Sequence, residues 1–174
     1  MWSKLILCLV VLFVALSIFS NNTKVYRIQK LQTESNDYAK VKYIVDGDTI
    51  DVLINGKFES VRLLGINAPE TVDQRKPVEC FGIEASEKLK ELLGNKEVLL
   101  KSDSTQADRD KYGRLLRYIY LYDGTLINKV MIEQGYAYEY TYDIPYKFQK
   151  EFKSAELLAR FRKRGLWVSG ICLK

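Results

Sequence analysis

Two turn dipeptides, Asp46-Gly47 and Asn55-Gly56, divide a β-rich stretch and constrain the fold of this chain more than any other feature. Around them, residues 41–65 alternate apolar and polar side chains, which is the period of a strand with one buried face. Asp-Gly and Asn-Gly between two such runs are strong signals for tight hairpin turns. The stretch therefore predicts three consecutive antiparallel strands, a β-meander.

Beyond the meander, the pattern predicts a helix and two more strands. Residues 80–95 place apolar side chains at helical spacing, with Gly94 as the stop. Residues 96–101 and 115–122 are then typical of strands, separated by the polar loop 102–113. The predicted strands thus number five.

Two further helices are expected after the last strand. Residues 126–134 predict a short helix that ends at Gly135. Pro145 is predicted to open a longer helix, whose apolar residues repeat at helical spacing up to a stop at Gly165.

This order of elements matches a five-stranded Greek-key barrel of the OB type with three helices, an α+β fold that is mainly β. The whole chain of 174 residues has the length of one domain with a short appendage. We expect the domain to span residues 38–170. Barrels of this kind often bind oligonucleotides or sugars, although a fold alone does not specify a reaction.

The first twenty residues are typical of a targeting segment. Lys4 is followed by an almost unbroken apolar run at residues 5–19, which is short for a membrane span and usual for a signal peptide. Bulky Ile18 and Phe19 at the expected cleavage end leave an uncleaved membrane anchor as an alternative. Residues 21–37 are polar and predict a tether, so the domain is expected outside the cytoplasm, either secreted or membrane-anchored.

Cysteine usage agrees with export. Cys80 and Cys172 are the cysteines that follow the targeting segment, and they are candidates for a disulfide. A disulfide across this 92-residue separation would raise the free energy of unfolding by about 4–5 kcal/mol, if it acts by lowering the entropy of the unfolded chain. Two free thiols are the alternative.

The chain contains no histidine, and this excludes several kinds of active site. Ser-His-Asp and Cys-His nucleophile systems and nearly all mixed His/Cys metal sites require that residue. Catalysis must therefore use carboxylates, Lys, Arg, Tyr or a hard metal held by oxygens. A formal net charge of +5 favours, modestly, a polyanionic partner such as nucleic acid or an acidic membrane surface.

Acidic and amide side chains cluster at predicted strand ends. They are Asp46 and Asp48 in VDGDT, and Asn67 and Glu70 in GINAPE. Asp46 by itself is explained by a hairpin turn, whereas Asp48 lies just past that turn, where a carboxylate can project from the barrel. Side-chain oxygens of Asp48 and Asn67, a nearby backbone carbonyl and water would suit calcium. So few protein ligands predict weak binding, which is tolerable outside a cell.

Arg62 and Arg114 are placed beside apolar strand residues, where a charge needs a partner. One interpretation is structural, an internal ion pair of Arg62 with Glu70 or Glu59. The other is functional, because a guanidinium matches a phosphate with two parallel hydrogen bonds.

Aromatic and basic residues near the C-terminus also allow two interpretations. Tyr136, Tyr138, Tyr140 and Tyr142 alternate, which suits either one face of a strand or a stacking surface for nucleobases. The basic residues in 160–164 suit a solvated helix end that complements the helix dipole, or in addition a general attraction to polyanions.

Several ordered motifs resemble those of the staphylococcal nuclease family. They are VDGDT at 45–49, VRLLGINAPE at 61–70, ECFGIEAS at 79–86, DKYGRLLRYIY at 110–120, NKVMIEQGYAYEYTY at 128–142 and RGLW at 164–167. Each motif is weak alone, but the full set in this order is specific. The resemblance covers about three quarters of the chain, from Val41 to Trp167.

The resemblance implies a calcium-dependent phosphodiesterase on an OB-type barrel, which cuts DNA and RNA and leaves 3′-phosphate ends. Carried over by position, its catalytic residues are Arg62, Glu70 and Arg114; its metal ligands are Asp48, Asn67 and the backbone carbonyl of Ala68; and its substrate contacts are Lys111, Tyr112 and one or both of Tyr140 and Tyr142.

The chain departs from the family pattern where Asn67 replaces an aspartate and Ala68 replaces a threonine. The first change removes a charge from the metal site, so we expect weaker calcium binding. A non-catalytic nucleic-acid-binding module and a cell-envelope interaction protein with structural arginines are the alternatives. A monomer is the default assumption for the assembly.

Overall fold

The predicted meander forms the first three strands of a barrel. The computed structural model describes residues 36–72 and 77–172; the predicted targeting segment lies outside them. The strands are β1 (Asn36–Ile44), β2 (Thr49–Ile54) and β3 (Lys57–Leu63), all paired antiparallel. β1 therefore already includes the last two residues of the predicted tether.

Five strands close the barrel in the order β1-β2-β3-β6-β5, with β5 at Glu97–Lys101 and β6 at Leu115–Tyr120. β1 pairs antiparallel with β5, and β3 pairs parallel with β6. The parallel pair is the crossover that makes the barrel a Greek key rather than a simple meander. The predicted OB-type fold is confirmed.

Both predicted turns join antiparallel strands, but only Asn55-Gly56 is a two-residue turn, since four residues connect Ile44 of β1 to Thr49 of β2. Each turn depends on its glycine for a different reason. Asn55 and Gly56 adopt φ values of 50° and 79°, the left-handed pair that suits a two-residue hairpin. At Gly47 the constraint is space, since a Cβ there would lie 2.6 Å from the Cβ of Ala68 and 2.7 Å from that of Ala85. The first turn is therefore pressed against the chain that follows β3 and against the first helix.

A second, two-stranded sheet pairs β4 (Ile66–Asn67) with β7 (Tyr138–Glu139). No repeating pattern can develop in strands of two residues, so this sheet was not expected. Its pairing holds the Asn67 segment beside the barrel. The alternating tyrosines therefore do not form one long strand face.

In residues 36–72 and 77–172, three helices follow the predicted order: α1 (Gly82–Leu93), α2 (Ile127–Glu133) and α3 (Gln149–Phe161). The expected bounds of the third helix are wrong at both ends. Before α3, the carbonyl of Pro145 accepts from Thr105 Oγ1 at 3.4 Å and the Tyr146 hydroxyl donates to the carbonyl of Gly65 at 3.2 Å, which ties this segment to the barrel. After α3, the φ of 50° at Lys163 ends the helical path, and Gly165–Trp167 form a separate 3-10 turn.

The core fills the barrel and the space beneath α2 and α3. It includes Val41, Ile50, Val52, Val61, Leu63, Val98, Leu100, Ile119, Met131, Ile132 and Phe152. Burial of these side chains is the main stabilising contribution, about 1.5–3 kcal/mol for each large one.

Asp103 is a buried carboxylate that joins the loop after β5 to the segment before α3. Its Oδ2 accepts from the Tyr118 hydroxyl at 2.7 Å and from the backbone N–H of Lys147 at 2.8 Å, and Oδ1 accepts from Thr105 N–H at 2.9 Å. Burial opposes ionisation, but these hydrogen bonds hold the pKa of Asp103 below its usual value. The loop that carries Arg114 thus starts from an anchored point.

Cys80 and Cys172 lie in disulfide geometry, with 2.04 Å between their Sγ atoms and 5.7 Å between their Cα atoms. The pair joins the start of α1 to the C-terminal segment. Within residues 36–72 and 77–172, no helix has the length and apolar character needed to cross a membrane.

Candidate active site

All ten residues predicted for catalysis, metal binding or substrate contact line one pocket at the side of the barrel. The pocket has a volume of about 570 Å³. Its lining includes Asp48, Arg62, Asn67, Ala68, Glu70, Lys111, Tyr112, Arg114, Tyr140 and Tyr142. These residues come from segments that are up to 94 positions apart (142 − 48), so only the closed fold assembles them.

The strand register brings the first charged residues together. Arg62 near the end of β3 pairs with Thr49 at the start of β2 and with Leu116 of β6. Asp48 immediately precedes β2, so its carboxylate meets the Arg62 guanidinium across the strand pair. The distance from Asp48 Oδ2 to Arg62 Nη2 is 2.9 Å, with 7% and 13% of the two side chains exposed.

Asn67 and Ala68 complete this network. The Arg62 Nη2 group also donates to Asn67 Oδ1 at 3.0 Å, and the backbone N–H of Ala68 donates to Asp48 Oδ2 at 2.6 Å. The second guanidinium nitrogen, Nη1, donates to the carbonyls of Leu63 and Ile66 at 3.0 and 2.9 Å. Arg62 is therefore held in one orientation by side chains and backbone together.

The expected structural partner of Arg62 is corrected by this geometry. Arg62 pairs with Asp48, whereas Glu59 forms a two-point ion pair with Arg109 at 2.8 and 3.0 Å. Residues 59 and 62 are an odd number of positions apart on one strand, so their side chains point to opposite faces.

Burial dominates the electrostatics of Asp48. It raises the pKa of this carboxyl to about 7, even though Arg62 and the Ala68 N–H lower it; the nearby Asp46 carboxylate raises it further. One arginine thus leaves the charge of the Asp46–Asp48 turn incompletely compensated, and an added cation would stabilise the ionised form.

The donor set in this corner fits a hard divalent cation. Within residues 36–72 and 77–172, no three Asp, Glu, His or Cys side chains converge on a common point. The nearby groups are instead carboxylate oxygens of Asp46 and Asp48 and the amide oxygen of Asn67, which are ligands that calcium accepts. The same Asp48 and Asn67 oxygens already contact Arg62, so the guanidinium and a cation would share them.

Arg114 is aimed into the pocket by the turn that precedes β6. Its Nε donates to Asp110 Oδ2 at 2.7 Å, and Asp110 Oδ1 accepts from the backbone N–H groups of Arg114 and Tyr112 at 3.0 and 2.9 Å. Although burial opposes it, these contacts hold the pKa of Asp110 below its usual value. Arg114 Nη1 also lies 3.3 Å from Thr49 Oγ1, next to Asp48.

Glu70 follows β4 at the edge of the pocket and is held by its own turn. Its Oε1 accepts from the backbone N–H groups of Thr71 and Val72 at 2.9 and 2.8 Å. Its backbone exchanges bonds with Glu79, because Glu70 N–H donates to Glu79 Oε2 at 3.1 Å and the Glu70 carbonyl accepts from Glu79 N–H at 2.8 Å.

Exposed aromatic and basic side chains form the outer part of the pocket. Tyr112 is 72% exposed, and the Lys111 ammonium and the Arg114 guanidinium lie 5.1 and 5.3 Å from its ring centre. Tyr140 and Tyr142 are 44% and 76% exposed, with 6.4 Å between their ring centres. Rings at this exposure can stack on bases.

The alternating tyrosines divide between two roles. Tyr140 and Tyr142 line the pocket, whereas the Tyr136 ring packs 5.4 Å from Phe81 and the Tyr138 ring packs edge-on 5.4 Å from Trp167. The short strand β7 ends at Glu139, and the chain then turns toward the pocket. The four tyrosines therefore do not share one strand face, and only Tyr140 and Tyr142 lie where stacking on a base is a candidate role.

Sequence reasoning missed Asp110, Gln106, Arg109 and Tyr146, which also line the pocket. Asp110 had an available signal, since the i,i+4 spacing with Arg114 in DKYGR brings an acid and a base together across a turn. Tyr146 had none, because its hydroxyl contacts with Gly65 and Glu139 depend on the tertiary fold.

Comparison with known proteins identifies the family. A family model described as "Staphylococcal nuclease homologue" matches residues 60–169, which is more than half of the chain. The chain belongs to the staphylococcal nuclease family. The family match covers β3 to the C-terminal 3-10 turn and includes nine of the ten predicted site residues, all except Asp48.

Family members with similar sequences carry nuclease names. A thermonuclease of Staphylococcus hyicus is 32% identical over 93% of this chain and 95% of its own length. Endonuclease YncB of Bacillus subtilis is 37% identical over 71% of this chain and 58% of its own length. A thermonuclease of Staphylococcus intermedius is 35% identical over 73% of this chain and 74% of its own. These family members support a nuclease with a nucleic-acid substrate.

Proposed function

We propose that this chain is an exported, calcium-dependent nuclease that hydrolyses phosphodiester bonds in DNA and RNA and leaves 3′-phosphate ends. The observation that carries the proposal is the convergence of Arg62, Arg114 and Glu70 with the oxygens of Asp48 and Asn67 on one pocket. Thermonuclease and endonuclease relatives support the same reaction class. The disulfide geometry at Cys80 and Cys172 suits an oxidising, extracytoplasmic location.

The two arginines supply the positive field that phosphoryl transfer requires. As water attacks phosphorus, negative charge grows on the non-bridging oxygens, and donors that are already oriented stabilise this charge without reorganising. Asp48, Asn67 and two backbone carbonyls hold Arg62 and accept the hydrogens of both its Nη groups, so in this arrangement Arg62 contributes its Nε–H and its positive charge. Asp110 holds Arg114 through Nε, so the Nη groups of Arg114 are the fork that can meet a phosphate oxygen. When bound by Asp48, Asn67 and the Ala68 carbonyl, calcium supplies further neutralisation of the phosphate.

Glu70 is the residue that orients the attacking water and accepts its proton. Its Oε1 is occupied by the N–H groups of Thr71 and Val72, which fix the plane of the carboxylate at the edge of the pocket. A carboxylate in this position orients a water molecule and accepts its proton as the P–O bond forms. The bond from phosphorus to the 5′ oxygen breaks, and Arg114 stabilises the departing oxygen. No covalent intermediate is needed, in keeping with the absence of histidine.

Product analysis of the full chain tests this proposal. Single-stranded DNA and RNA are incubated with calcium or with a chelator, and product ends are examined by sensitivity to phosphatase. We expect cleavage only with calcium, 3′-phosphate products, and a loss of about 10³-fold in kcat for Glu70→Gln. Glu87→Gln, which changes an exposed acid of α1 outside the pocket lining, is the matched control.

Three results would count against specific parts of the proposal. Digestion in the presence of chelator would refute the calcium dependence, and full activity of Glu70→Gln would refute the role of Glu70. Salt-sensitive binding of polynucleotide without cleavage would instead support a non-catalytic module. Export is tested separately by locating the protein in cell fractions, and the disulfide by mass measurement before and after reduction.

A further inference from the structure

The end of α3 carries an exposed apolar patch that the nuclease function does not use. Leu157, Leu158 and Phe161 are 68%, 45% and 85% exposed. Leu157 lies four positions and Leu158 three positions before Phe161, so both side chains are neighbours of Phe161 on the helix surface. The opposite face of α3 packs into the protein through Phe152, Ala155 and Ala159. We call these three exposed residues the α3 patch.

Exposed cations precede and follow the α3 patch along the chain. Lys150 and Lys153 are exposed on the preceding turns of α3, and Arg162 and Lys163 are exposed just after its end. In the part of the chain that the structure describes, no ion pair includes any of these four. Glu151 is the one exposed acid of α3, every residue of which is described.

The other basic residues of this region already serve the fold. Arg160 pairs with Glu156 at 3.2 Å and lies 4.0 Å above the Trp167 ring, and Arg164 donates to the carbonyl of Glu133 at 3.0 Å. All four basic residues in 160–164 are exposed, as a solvated helix end predicts, but only Arg162 and Lys163 lack such a contact among the described residues. The exposed cations and the apolar patch form one surface with a hydrophobic centre and a positive border.

We propose that the α3 patch and its border dock on an anionic lipid bilayer. Leucine and phenylalanine side chains can both be buried among the acyl chains, while lysine and arginine at the border reach the anionic headgroups. No residue of α3 lines the pocket, so the α3 patch and the pocket share no residue. The proposal concerns a surface separate from the nuclease site and does not depend on nuclease activity.

Charge and chemistry argue against the two other occupants of such a surface. A second copy of the chain would place two positive borders against each other, which is unfavourable. A nucleic acid would match the charge, but single-stranded bases are held mainly by aromatic stacking, and two of the three patch residues are leucines.

Lipid-quenching fluorescence on the full chain tests the proposal. Phe161→Trp places an indole in the α3 patch, and Tyr43→Trp places one at a position of the barrel wall that is 67% exposed. Each variant is added to vesicles of phosphatidylcholine alone or mixed with phosphatidylglycerol, both with brominated acyl chains, and the signal of the unsubstituted chain is subtracted. We expect strong quenching of the indole at position 161 only with the anionic vesicles. The indole at position 43 should give the same signal with both vesicle types.

Charge variants test the border. In the Phe161→Trp background, Lys153→Gln and Lys163→Gln should each weaken binding about fivefold, and added salt should weaken it further. Nuclease activity on a short oligonucleotide and the melting temperature should match those of the unsubstituted chain, which shows that the variants fold.

Three outcomes would overturn the proposal. The first is equal quenching at positions 161 and 43 in both vesicle types. The second is concentration-dependent self-association without vesicles that Phe161→Ser abolishes, which would assign the patch to a second copy. The third is a response of the position-161 indole to polynucleotide but not to anionic vesicles.

Discussion

The inner and outer parts of the pocket hold their charged groups in different ways. In the inner part, Asp48, Arg62 and Asn67 are joined by direct hydrogen bonds of 2.9–3.0 Å, and 13% or less of the Asp48 and Arg62 side chains is exposed. In the outer part, Tyr112 and Tyr142 are more than 70% exposed and are held by ring and cation contacts. A pre-oriented inner part suits the reacting phosphate, whereas an adaptable outer part suits bases of any sequence.

The largest expected effect lies in the inner part. Arg62→Lys keeps the charge but loses the planar fork that contacts Asp48, Asn67 and two carbonyls. We expect kcat to fall about 10³-fold with a smaller change in KM, because donors that act on the transition state are lost. Arg109→Lys is the control. It alters the more exposed ion pair between Arg109 and Glu59 at the same pocket, so kcat should change little. Equal losses in the two variants would remove the distinction between inner and outer parts.

A second prediction concerns the boundary between the parts, where Asp110 orients Arg114. Asp110→Asn weakens the 2.7 Å contact with Arg114 Nε, so we expect kcat to fall up to about a hundredfold with little change in KM. Asp110→Glu should recover part of the rate, because it restores a carboxylate. Asp123→Asn is the matched control, as Asp123 accepts from Thr125 N–H in an exposed turn. A rise in KM alone for Asp110→Asn would place Arg114 among the binding groups.

A third prediction concerns the charge of the inner part. Asn67→Asp adds a carboxylate next to Asp48, so the half-saturating calcium concentration should fall about tenfold, or about 1.4 kcal/mol. Activity is measured in a calcium titration. Asn55→Asp makes the same chemical change in an exposed hairpin turn and should leave the titration unchanged. If the two titrations coincide, Asn67 is not a ligand.

The smallest expected effect lies in the outer part. Tyr112→Ala removes one stacking ring among several, so we expect KM to rise about fivefold while kcat stays nearly constant; this is the low end of the roughly 1–3 kcal/mol that stacking contributes per base. Tyr43→Ala, which removes a similarly exposed ring outside the pocket lining, should change neither constant. A large fall in kcat for Tyr112→Ala would mean that the outer part also acts on the reacting phosphate.

Local patterns predicted the elements that a few neighbouring residues decide. The hairpin at Asn55-Gly56 needs two left-handed residues, and α1 needs an apolar stripe and a stop, so both are readable from short windows. The predicted start of α3 was wrong because Pro145 and Tyr146 are held by the barrel and by the loop after β5. Such contacts join residues 40 to 81 positions apart, beyond any local pattern.

The site shows the same division. The family resemblance selected the ten candidate residues, and all of them line the pocket. The argument that a charge beside apolar residues needs a partner suggested Glu59 or Glu70 for Arg62, which instead pairs with Asp48. Strand period already separates Glu59 from Arg62, whereas the pairing with Asp48 needs the register of β2 against β3. The Asp110 contact is local and could have been recognised.

The sequence by itself determined the five strands, their tight turns and the chemistry available to a chain without histidine. These properties depend on residue type and on periods of two to four residues. Tertiary structure alone decided which acid neutralises Arg62 and that β4 and β7 pair. Each of these results depends on closing the chain over long separations, where burial and the hydrogen bonds of the complete barrel select one arrangement.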